Sequence, residues 1–88
     1  MAFKILATEE NLSNTAPEGI SSATRVRLYN NSGSDVLVGR YTDANTSNII
    51  GSITIKTGTE MDVMKEPTDK LMVITGAEIK ATKVGVGY

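Results

Sequence analysis

The chain has 88 residues and no cysteine, which is room for one domain with one core that neither disulfides nor a thiolate metal site can reinforce. Nine Lys and Arg face ten Asp and Glu with no basic stripe, and only four residues are aromatic, a balance that argues against a nucleic-acid partner needing phosphate contacts and base stacking. No apolar run approaches the roughly 20 residues of a membrane-spanning helix, and the first apolar stretch turns acidic at Glu9-Glu10, too early for a signal peptide; the expectation is a protein made in a cytoplasm, with no membrane partner.

Ile, Val and Thr supply 26 of the 88 residues, and such branched side chains favour a pleated surface over a helix. Phe3 to Ala7 is a short apolar run that reads as a strand. Thr8 to Ser22 is polar, with a turn signal at Pro17-Glu18-Gly19, so residues 1–22 read as a strand followed by a polar arm. From Ala23 the chain alternates: Val26 and Leu28 share one face, Arg25, Arg27 and Tyr29 the other. Asn30 to Asp35 is a turn, and Val36 to Tyr41 is the next strand, which predicts a hairpin between the two. After the loop at Asp43 to Asn48, the stretch Ile49 to Ile55 alternates most clearly. Glu60 to Lys65 reads as a strand with Met61 and Val63 inward, Leu71 to Ile74 as an apolar strand, and Ile79 to Val86 as the last. The fold class is therefore all-β: a small antiparallel sandwich or barrel of six to seven strands over residues 23–88, with an extended N-terminal arm. Its expected core is Val26, Leu28, Val36, Val38, Ile53, Ile55, Val63, Leu71, Val73 and Ile79.

Catalytic chemistry is poorly provided for. With neither histidine nor cysteine, the chain lacks the side chain best suited to proton transfer near neutral pH and the strongest nucleophile. Glu60 and Asp62 share a strand face and could in principle serve as a carboxylate pair, but they read more simply as solvent-facing neighbours of Met61 and Val63. The loop Asn30 to Asp35 lacks the alternating acids and distal Glu of a calcium loop. No enzyme activity, cofactor or metal is expected.

What remains is surface. Arg25, Arg27 and Tyr29 form an outward strip of residue types enriched at protein interfaces, although such strips also serve as solvated faces. Tyr41 would join that strip if the two strands paired as a hairpin. Phe3 and Ile5 can add a strand to a neighbour's sheet edge, and Tyr88 can dock as a tail.

The order of the second half is also informative. An apolar strand (Ile49 to Ile55) leads through Lys56-Thr57-Gly58-Thr59-Glu60 to a strand ending in Lys65-Glu66-Pro67-Thr68-Asp69-Lys70-Leu71, then to a short apolar strand and a lysine-rich one (Ile79 to Lys83). With Leu28-Tyr29-Asn30-Asn31, this resembles small single-domain virion structural proteins of tailed bacteriophages, especially those of marine and cyanobacterial hosts, in which a Lys-x-Pro-Thr-Asp-x-Leu segment joins two late strands. The resemblance implies a non-enzymatic capsid decoration or cement subunit, located in the virion after assembly in a host cytoplasm. Its partners would be the major capsid protein or other virion proteins, with the chain itself oligomeric or present in many copies. Alternatives are a neck, tail or fibre-associated subunit, or a glycan-binding module.

Overall fold

The computed structural model describes residues 3–86. Among them there is no helix, and eight strands follow in order: β1 (Phe3–Ile5), β2 (Glu10–Leu12), β3 (Arg25–Tyr29), β4 (Val36–Tyr41), β5 (Ile49–Ile55), β6 (Glu60–Met64), β7 (Lys70–Thr75) and β8 (Ile79–Val86). All pairings are antiparallel. The larger sheet runs β1-β8-β3-β6, with β2 also on β8; the smaller runs β5-β4-β7. The fold is an open sandwich of two sheets.

Alternation decides which side chains meet between the sheets. Val26, Leu28, Ile79 and Ala81 line the inner face of the larger sheet, and Val36, Val38, Ile55, Leu71 and Val73 that of the smaller. Fully burying side chains of this kind contributes roughly 1.5–3 kcal/mol each, so this seam accounts for most of the drive to fold. Met61 and Val63 pack against it from β6, as the sequence predicts.

The N-terminal arm lies along the body. Lys4 stands opposite Gly85 in β1 and Asn11 opposite Lys80 in β2, so the two short strands follow one another down β8. Beyond β2, the Val73 amide donates to Ser13 O, and Glu18 and Leu71 exchange two main-chain bonds of 2.8 Å. Leu12 and Ile20 are buried in the core. Three residues are too few for alternation to reveal β2, which is why the strand count exceeds the expected six to seven. Ile20, Ser21 and Ser22 all have positive φ (51°, 56° and 56°), a left-handed run closed by a 3.1 Å bond from the Ala23 amide to Ile20 O.

Two expectations require correction. β3 and β4 are not a hairpin: β3 pairs with β6 and β8, β4 with β5 and β7. The loop between them crosses from one sheet to the other. Asn30 anchors that crossing from a fully buried position, donating through Nδ2 to Ser34 O and Ile55 O, both at 2.9 Å. Its Oδ1 accepts from the Ser32 amide, while its main chain bonds Gly58 and Thr59 in the β5–β6 turn. The second correction is Ile53, expected in the core but 46% exposed. β5 is an edge strand, and of its seven residues only Ile55 is buried. Its register on β4 also shifts between Arg40 opposite Gly51 and Tyr41 opposite Ile49, leaving Ile50 as a bulge that breaks the period.

Candidate functional site

The outer face of the larger sheet gathers most of the sequence-predicted residues. Val26 and Leu28 point inward, so Arg25, Arg27 and Tyr29 are left on the opposite face. There Arg27 stands opposite Asp62 and Thr82, and Tyr29 opposite Glu60 and Lys80. Each arginine reaches a carboxylate diagonally across the β3–β6 pair. Arg25 Nη2 lies 3.0 Å from Asp62 Oδ2. Arg27 donates to Glu60 Oε2 through both Nε (2.9 Å) and Nη2. Its Nη1 also lies 3.7 Å from Glu9 Oε2, and its guanidinium carbon sits 5.4 Å from the Tyr29 ring centroid, a cation–π contact.

These contacts change what the strip can do. The half-buried Arg27 is held between two carboxylates and one ring, so it has little attraction left for a free anion. Glu60 and Asp62, in turn, are committed to the arginines. Held in one geometry, these charged groups have little side-chain freedom left to lose. A shallow concavity of about 840 Å³ opens beside them, floored by Arg27, Glu60 and Thr82 and walled on its apolar side by Ile5 and Val84.

Ile5 thus joins the strip, across the sheet at its β8 side. It is 74% exposed, and Met64, at the far end of β6, is 75% exposed. Phe3 pairs through its main chain with Val86 in β1, so this strand finds its sheet edge within its own chain. Tyr88 lies outside the described residues. Tyr41 does not join the strip: it belongs to the other sheet and is only 2% exposed. A Cβ on Gly39 would lie 2.9 Å from Tyr41 Oη and 2.7 Å from Ile74 Cδ1, so glycine at 39 makes the space that the Tyr41 ring and Ile74 occupy. Tyr41 is a packing residue.

Sequence reasoning missed a second surface, at the free edges of β5 and β6. Ile49, Ile50 and Ile53 are all exposed there, and a groove of about 250 Å³ runs along the mouth of the sandwich between Val38, Ile50, Ile53, Val63, Met64 and Leu71. The available signal was Ile49-Ile50, two consecutive isoleucines opening a strand with no charged residue through Ile55.

The Lys65 to Asp69 corner is structural. Asp69 Oδ2 accepts from the Glu66 amide at 3.1 Å, and the Asp69 amide donates to Glu66 O at 2.9 Å, closing the turn around Pro67. Lys65 and Asp69 are both buried. Burial lowers the Lys65 pKa below its ordinary 10.5, opposed by Asp69 and reinforced by Lys70 and Lys83. Glu18 moves the other way: burial raises its pKa above 4.5, and the neighbouring Glu10 and, more weakly, Glu78 add to the rise. Among the described residues no group of three or more Asp and Glu is placed to hold a metal ion. No helix is long and apolar enough to cross a membrane among those residues. Comparison with known proteins finds no matching family, no matching curated protein and no matching solved structure.

Proposed function

We propose that this chain is a structural subunit that works through protein–protein contacts, as a decoration or cement protein on the head of a tailed bacteriophage. The observation that carries the contact role is the exposed apolar pair on the outer face of the larger sheet, Ile5 and Met64, flanking a strip of arginines already fixed by their own carboxylates. Large apolar side chains beside preorganised Arg and Tyr are the composition of surfaces that become dry on association. The likeness of Ile49–Val86 to small phage virion proteins supports the head as the place. Many copies on a symmetric shell turn a modest contact into firm attachment when subunits also touch one another. Quantitative mass spectrometry of purified phage particles encoding the chain tests this. Hundreds of copies per particle are expected; none, or a dozen or fewer, would overturn the decoration role.

A further inference from the structure

Every free strand edge exposes unpaired N–H and C=O groups, and proteins normally blunt such edges with charge, proline, shortness or a covering segment. Three edges of this sandwich are blunted. β6 carries Glu60 and Asp62. β7 begins at Lys70 and has its outer side covered by Ser13 and Glu18. β1 has three residues and carries Lys4. β5 is different. It has seven residues, none charged and none proline, and nothing among the described residues pairs with its outer side. Its bulge at Ile50 lies at the start of the strand, so Gly51 to Ile55 remain in regular register.

We infer that β5 pairs antiparallel with β5 of a second copy of this chain, joining two smaller sheets into one continuous six-stranded sheet. An uncharged strand opposes its own copy without like-charge repulsion, which the acidic β6 edge cannot do. A two-fold axis through Ile53 places Gly51 opposite Ile55 of the second copy, where a Cβ on Gly51 would have nothing within 4 Å and the larger side chain finds room. Ile50 and Ile53 also line the groove toward Val63 and Met64, so each copy offers both an apolar ridge and the hollow beside it. Such a self-complementary patch is what a two-fold interface requires. The inference rests on reading the chain as a contact protein and names one of its partners, itself.

The test exploits the absence of cysteine. Sedimentation equilibrium should find concentration-dependent dimers for the unmodified chain. Ile53→Lys and Thr54→Lys should weaken association at least about tenfold, because either puts a charge on each side of the joint. Both positions are exposed, so folding, followed by circular dichroism, should survive. Ile53→Cys should cross-link under mild oxidation, and Asn31→Cys, on an exposed loop away from the edge, should not. A chain monomeric at millimolar concentration, or dimers that both lysine variants leave intact, would overturn the pairing. A monomer still found in hundreds of copies on phage heads removes the pairing alone; a dimer absent from particles removes the decoration role alone.

Discussion

Ile53 stands directly opposite Val38 in the β5–β4 ladder, yet Val38 is 2% exposed and Ile53 46%. One ladder step separates the core of the sandwich from its rim. β4 is the central strand of its sheet, flanked on both sides, while β5 ends the sheet with its outer side open. The pair therefore predicts an asymmetry in isolated, monomeric protein. Val38→Ala should cost about 2 kcal/mol through lost transfer and the cavity left behind. Ile53→Ala should cost well under half of that. Urea unfolding of the two variants at low protein concentration measures the difference, and equal losses would place Ile53 in the core after all.

The N-terminal segment should divide sharply by depth. Removing residues 1–6 takes away β1 and, among the described side chains, the exposed Lys4, Ile5 and Leu6, and a cooperative urea transition should persist. Removing residues 1–20 also deletes Leu12 and Ile20 from the core, and uncovers the β7 edge held by Ser13 and Glu18. Each buried side chain is worth roughly 1.5–3 kcal/mol, a large share of a small domain's net stability, so the longer truncation should not fold. Circular dichroism with urea titration distinguishes the two.

Left-handed backbone at non-glycine residues costs about 1–2 kcal/mol each, and Ser21 and Ser22 both sit there, exposed, with φ of 56°. Ser22→Gly should therefore stabilise the fold by about 0.5–1 kcal/mol after the unfolded-state entropy of glycine is charged against it. A higher urea midpoint at unchanged slope is the expected reading. Ile20 shares the conformation but is buried, so glycine there would lose its core contact and should not help.

The two shifted groups give opposite pH slopes. The Glu18 pKa is raised in the folded state, so its contribution is fully present below 4.5 and is lost as pH rises through the folded value. Lys65 is depressed, so its contribution is present above 10.5 and is lost as pH falls through the folded value. Glu18→Gln should remove the falling slope just above pH 4.5, and Lys65→Met the rising slope just below pH 10.5. Stability measured against pH for each variant and the parent checks both signs; a variant curve parallel to the parent's through its window would contradict the assignment.

Much of the scaffold is legible in the residues themselves. The alternation Arg25-Val26-Arg27-Leu28-Tyr29 marks which side chains of β3 turn inward, and Met61 and Val63 do the same for β6. Alternation reports faces, however, not partners, so it could not reveal that β3 lies beside β6 and β8 instead of β4. Asn30 reads as a turn residue, and it is one, but its amide also stitches two loops together from inside the core, a role visible only once Ile55 O comes within reach. The proposed contact surface was half legible. The Arg25, Arg27 and Tyr29 strip follows from composition and period. The salt links that fix it depend on β6 lying alongside, and the bare edge at Ile49 to Ile55 depends on which strand ends the sheet.

The most direct measurement of the contact role is the binding of purified chain to phage heads that lack it. The chain should saturate heads at hundreds of copies, and the double variant Ile5→Asp, Met64→Asp, altered only at exposed positions and still folded, should compete poorly with it for the same sites. Heads that take up no chain, or a variant that binds as well as the parent, would contradict a subunit that docks through the outer face of its larger sheet.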